Sequence, residues 1–223
     1  MRELRPGLWH WESPHPDWTP DEPWGREVSS YALGDGDGAL LFDPLGVPGE
    51  LTERATAIVL TAPWHERDTR SLMQRPGLRV FAPPPDTADD LMQKYGITAE
   101  QAGSGSPDLD WLLARDDVET HLFSVGDRLP FGAEVLPGRE HNDVVLWLEE
   151  QRAVIAGDSL VDFGRGLEIP VEWLREGVTR EQVADGLRPL LEKPVELVLP
   201  AHGAPTDRAA LERALSGRPR ADR

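Results

Sequence analysis

Six histidines and no cysteine leave only imidazole and carboxylate side chains to hold a metal, and they exclude thiol catalysis and disulfides. Four short segments concentrate the chemistry. His65-Glu66-Arg67-Asp68 follows the apolar run Ala57 to Thr61, and Arg139-Glu140-His141 follows Pro137-Gly138 and precedes Val144 to Leu148. Asp158 follows Ala156-Gly157, and His202 lies in Pro200-Ala201-His202-Gly203 after Leu197 to Leu199. Each places polar residues just past a strand-like run, where loops from distant parts of the chain can converge. Two or three imidazoles with a carboxylate suffice for one ion, which would acidify a bound water for hydrolysis, with Glu66 or Asp158 orienting it. Arg67 and Arg139 point elsewhere: a guanidinium keeps its proton near neutral pH, cannot ligate a metal, and grips carboxylates or phosphates. Each residue also has an ordinary reading. Asp158 after glycine can cap a turn, His202 can bond its own loop, and acids at His65-Glu66-Arg67-Asp68 suit a helix N-terminus.

The elements that would carry these segments are short. Val28 to Leu33 and Ala39 to Asp43 flank Gly34-Asp35-Gly36-Asp37-Gly38, which reads as a β-hairpin because no helix follows to make the glycines a phosphate loop. Ala57 to Thr61 is a buried strand with a helix starting behind it, and Leu78 to Phe81 is another strand. Helical patterning covers Thr87 to Lys94 and Asp108 to Leu113. From Val118 the pattern turns to strands at Thr120 to Phe123, Ala133 to Leu136, Val144 to Leu148 and Ala153 to Ala156, expected as antiparallel neighbours, with His121 and Trp147 as packing residues. A helix from Arg180 to Leu190, the strand Leu197 to Leu199 and a capped helix from Thr206 to Leu215 complete a single domain over 1–216, with a disordered Arg-rich tail at 217–223. The proline- and tryptophan-rich stretch from Trp9 to Trp24 predicts an extended surface loop with solvated His10 and His15, its tryptophans packed on the body or walling a pocket.

In their order, these landmarks resemble the metallo-β-lactamase fold family over about Leu8 to Gly203. The resemblance implies a four-layer αββα sandwich with a metal site along one edge of the sheets. Gly157-Asp158-Ser159-Leu160 matches the family's bridging-aspartate motif, and Leu199-Pro200-Ala201-His202-Gly203 matches its final-histidine motif. The family's first motif, Thr-His-x-His-x-Asp-His, falls on Thr61 to Arg67, where Ala62, Trp64, Glu66 and Arg67 stand at the ligand positions. Shifting the register by one residue brings His65 to the second histidine and puts Pro63, Arg67 and Asp68 at the others. The next family histidine falls on Arg139, with His141 two residues on. Two readings follow. One is an atypical, mononuclear metal-dependent hydrolase that holds zinc, manganese or iron with His65, His141, Asp158 and His202 and uses Glu66 and Asp158 for catalysis. The other is a metal-free pseudoenzyme or small-anion-binding protein in which Arg67 and Arg139, with Trp64 beside them, replace metal ligands.

A formal charge of -17 disfavours nucleic acid and anionic membranes as partners, because both need clustered cations. The expected partner is a small-molecule substrate or anion. Met1 to Pro6 lacks an apolar core and no apolar run approaches membrane-spanning length, so the expected location is the cytoplasm.

Overall fold

Short β-branched and leucine-rich runs separated by glycine and proline build twelve strands in a computed structural model that describes residues 1–216. The expected disordered tail lies outside the described residues. Seven strands form one sheet in chain order: β1 (Arg2–Arg5), β2 (Leu8–Pro14), β3 (Glu27–Asp35), β4 (Gly38–Phe42), β5 (Ala55–Val59), β6 (Arg79–Ala82) and β7 (Glu119–Leu122). β1 to β4 pair antiparallel, and β4 to β7 pair parallel. Five more, β8 (Ala133–Glu140), β9 (Asp143–Leu148), β10 (Ala153–Gly157), β11 (Leu197–Pro200) and β12 (Thr206–Asp207), form a second sheet in the order β12-β11-β10-β9-β8.

The central core lies between the sheets, where Leu8, Phe42, Val59 and Phe81 meet Val135, Leu146, Ile155 and Leu199. Helices α1 (Gly49–Arg54), α2 (Thr69–Leu72), α3 (Ala88–Tyr95), α4 (Ala99–Ala102) and α5 (Asp110–Leu113) lie between β4 and β7 in the chain. Leu51 and Leu72, from α1 and α2, with Leu109 and Leu112 at α5, cover the outer face of the first sheet at Leu41, Ile58 and Val80. Helices α6 (Arg180–Leu187) and α7 (Arg208–Ser216) cover the second sheet, with Val183, Leu187 and Leu211 on Val145, Val154 and Val198. The central strands of both sheets are therefore apolar on both faces, which produces four layers in the order αββα. None of the described helices is long and apolar enough to cross a membrane.

Three sequence expectations change. Leu8–Pro14 is not a loop but a strand paired on both sides. The prolines that exclude a strand begin only at Pro14, so Trp11 is buried with its indole donating to the Leu45 carbonyl (2.7 Å). His10 is likewise buried, stacked on Tyr31 and bonded to Ser29 Oγ at 2.9 Å, and burial first and Arg2 second lower its pKa to about 4. β7 joins the first sheet parallel to β6 and does not neighbour β8 antiparallel. The helix expected after β5 is one 3-10 turn, Pro63–His65, followed by α2.

Candidate active-site cleft

The C-terminal end of β8 and the loops after β4, β5, β10 and β11 meet at one edge of the two sheets. Asp43, just past β4, accepts hydrogen bonds from the Thr61 backbone N–H (2.8 Å) and Thr61 Oγ1 (2.7 Å). His65 is buried beside it. Its Nδ1 lies 3.2 Å from Asp43 Oδ2 and 3.0 Å from Thr61 Oγ1, and its Nε2 lies 3.1 Å from Asp158 Oδ2. Asp158 is turned into the cleft by Gly157 at φ 52°, where a Cβ would come 2.6 Å from Thr61 Oγ1. Trp64 Nε1 donates to the same Asp158 Oδ2 at 3.3 Å, and His202 Nε2 stands 3.5 Å from Asp158 Oδ1.

Two arginines complete the cleft. Arg139 Nε donates to fully buried Asp143, its Nη1 donates to the Trp173 carbonyl (2.8 Å), and its Nη2 lies 3.7 Å from Asp158 Oδ2. Its guanidinium sits 5.6 Å from the Trp64 ring and 5.5 Å from the Trp173 ring, the geometry of a cation held on indole faces. Arg67 Nη1 donates to the carbonyls of Ser29 (3.1 Å) and Asp43 (2.8 Å). Its backbone has φ 37° and that of Asp43 has φ 44°, left-handed conformations that cost a non-glycine residue about 1 kcal/mol or more and concentrate at functional sites. Among the described residues neither arginine's Nη2 has a hydrogen-bond acceptor. Three carboxylates, Asp43, Asp143 and Asp158, thus face three cationic side chains.

The electrostatics follow from that count. Burial opposes the charge on His65, but Asp158 and Asp43 outweigh it and raise the pKa to about 9. Burial likewise opposes ionisation of Asp158, and His65, His202 and Arg139 overcome it and hold the pKa well below the ordinary carboxylate range. Asp143 is raised to about 6 because its burial and the Asp158 charge exceed the help from Arg139. His202 is lowered to about 4, by burial first, with Arg67 and His65 adding to it against Asp158. At neutral pH the cleft holds an imidazolium at His65 and a neutral ring at His202.

The expected ligands do not all meet. His65, Asp158 and His202 converge, as do Trp64, Arg67 and Arg139. His141 is instead on the far side of Arg139, half-exposed, with Nε2 3.5 Å from Asp86 Oδ1 and 3.9 Å from Asp90 Oδ2. The pairing register shifts between Pro137 and Glu140, and Glu140 turns to Lys94 rather than to the cleft. Glu66 also points away, accepting from the Trp111 indole and lying 3.8 Å from Arg70, so it has no place in catalysis within the cleft. Asp43, Asp143, Trp24, Trp173 and His15 belong to the site although sequence reasoning does not single them out for it. Asp43 directly follows β4 as Asp158 follows β10, whereas Asp143 is the first residue of β9.

A metal ion needs at least three donors around one point at bonds of roughly 2 Å. In the cleft both nitrogens of His65 already face carboxylates, leaving His202 Nε2 and the unpartnered Asp158 Oδ1. Among the described residues, the group of three metal-ligating side chains whose donor atoms lie within 4.8 Å of one another is Asp86, Asp90 and His141, outside the cleft. Lys94 already neutralises that group through Asp86 (2.6 Å). The residues of the cleft in this arrangement do not fit a metal centre.

No protein-family model and no curated protein matches the chain. Many solved structures do. A metallo-β-lactamase family protein from Thermus thermophilus aligns over 96% of this chain and 79% of its own, with 19% identity and a TM-score of 0.61. The metallo-β-lactamase FIM-1 from Pseudomonas aeruginosa, in a mono-zinc form, aligns over 96% and 92%, with 16% identity and a TM-score of 0.59. TTHA1623, in a di-iron-bound form, aligns over 84% and 93%, with 25% identity and a TM-score of 0.55.

Proposed function

We propose, on the metallo-β-lactamase fold that this chain shares with those structures, that the cleft binds a small organic anion without a metal, the guanidinium groups of Arg67 and Arg139 supplying the positive charge. The observation that carries this reading is the commitment of His65 to two carboxylates beside two guanidiniums whose Nη2 groups have no hydrogen-bond acceptor among the described residues, that of Arg139 being only ion-paired with Asp158 at 3.7 Å. A carboxylate entering the cleft would take charge-assisted hydrogen bonds from both. The strained backbone at Arg67 and the indole clamp on Arg139 hold the donors in place before a ligand arrives, which lowers the ordering cost of binding.

The mono-zinc and di-iron neighbours favour a second reading, a mononuclear metal-dependent hydrolase. Its support in this chain is the orphaned Asp158 Oδ1 opposite the neutral ring of His202. Zinc, manganese or iron there would require His65 to leave Asp43 or Asp158.

Metal analysis of protein purified without a histidine tag separates the two readings. The anion-binding reading expects sub-stoichiometric zinc, manganese and iron, no uptake on addition of each ion, and calorimetric binding of acetate that is lost in Arg67→Gln. One equivalent of metal in the parent, lost in both Asp158→Ala and His202→Ala, would decide for the hydrolase.

A further inference from the structure

The cleft walls carry more aromatic surface than a simple anion requires. The cavity, about 270 Å³, is lined by the indoles of Trp24, Trp64 and Trp173 together with His202, Arg67 and Arg139. This is slightly below the roughly 300–1,000 Å³ usual for ligand pockets, as suits a small guest, and such pockets pair apolar walls with a few fixed polar groups. Trp24 belongs to the segment between β2 and β3 that folds over the cleft. Its ring lies 4.6 Å from the His202 ring at 67°, and its carbonyl accepts from the Trp18 indole at 2.9 Å. Trp173 also meets the His202 ring, at 5.2 Å and 74°, and is backed by Phe163 at 5.1 Å. Edge contacts of this kind leave ring faces and edges available to a flat guest.

Charge decides which end of such a guest enters. Arg139 already lies between Trp64 and Trp173, so like charge excludes an ammonium there. Any anion held by Arg139 approaches buried, ionised Asp158, and a phosphate dianion meets about twice the repulsion there that a monocarboxylate does. A monocarboxylate adds one negative charge to three carboxylates facing His65, Arg67 and Arg139. Its two oxygens can accept from Arg67 Nη2 and from Arg139 Nη2, the latter ion-paired with Asp158 at 3.7 Å but without a hydrogen-bond acceptor among the described residues.

Building on the anion-binding reading, we infer that the cleft selects a flat aromatic monocarboxylate, its carboxylate between Arg67 and Arg139 and its ring against Trp24 and Trp173. Two aromatic walls correspond to a preference of roughly fivefold or more over an aliphatic acid.

The test is isothermal calorimetry on the full chain with benzoate, 2-naphthoate, cyclohexanecarboxylate, acetate and inorganic phosphate. Benzoate and 2-naphthoate are expected to bind at least about fivefold tighter than acetate and more tightly than cyclohexanecarboxylate, which has similar bulk but is not flat. Trp24→Ala should bring the ratio of benzoate to acetate affinity close to one, and Trp173→Phe should retain the preference. The ligand series on the parent protein stands even if a tryptophan variant fails to fold. Equal binding of acetate, cyclohexanecarboxylate and benzoate would overturn the aromatic class and leave the anion site standing. Binding of none of the five probes would overturn both, and tighter binding of phosphate than of benzoate would overturn the monocarboxylate class alone.

Discussion

Two charged clusters lie on either side of Arg139, and they use similar residues to different ends. On one side His65 is sealed between Asp43 and Asp158, with 4% of its surface exposed. On the other, His141 leaves 46% of its side chain open beside Asp86 and Asp90, and the buried member is Lys94, held by Asp86 and Glu140. In the first cluster the imidazole itself compensates the buried acids. In the second a lysine does so and the imidazole is peripheral. Both are histidines beside aspartates, so burial rather than residue type separates a structural charge from a surface one.

The largest effect should come from His65→Ala, which strips the shared cation from two buried carboxylates. Breaking a buried pair in this way costs about 3–5 kcal/mol, and urea unfolding should show it, whereas His141→Ala should stay within about 0.5 kcal/mol. Equal losses in the two variants would erase the contrast. Lys94→Met tests the other centre, and a loss on the order of 3 kcal/mol is expected because Asp86 and Glu140 lose their cation.

The pH response sharpens the same contrast. His65 has a folded pKa raised from 6.5 to about 9, so its stabilisation is complete below about pH 6.5 and is lost as pH rises through about 9. A shift of that size corresponds to stability on the order of 3 kcal/mol. The urea midpoint of the parent should therefore fall between pH 7 and pH 10, and that fall should vanish in His65→Gln while persisting in His141→Gln. The smallest effect expected is that of Glu66→Gln, which should leave acetate binding unchanged because the carboxylate faces Trp111 and Arg70. Loss of binding in that variant would return Glu66 to the cleft.

Much of the architecture is legible because periodicity and punctuation are local. The hairpin around Gly34 to Gly38, the strand before His65, and the Gly157-Asp158 and Ala201-His202 turns all lie where their neighbours in the chain place them. The strand at Trp9 to Trp11 is obscured by prolines that begin only beyond it, and the partner of β7 escapes sequence reasoning because pairing is a long-range choice. Asp43 carries the same strand-end signal as Asp158 without a histidine beside it, and Asp143, which opens β9, is overshadowed in the sequence by Arg139 and His141.

The order of the strand-end motifs, read through the resemblance to the metallo-β-lactamase fold family, leads to the expectation that Asp158 and His202 share an edge with the loop after β5. Only the tertiary structure decided what those groups do there. Whether an imidazole ligates, carries a proton or lies idle depends on which acids and cations reach its two nitrogens and how far water is excluded. Those neighbours come from Asp43, Arg67, Arg139 and Asp143, brought together by two sheets packing face to face. Local sequence sets the conformation of each loop, but electrostatic environment is a sum over every segment that packs against it.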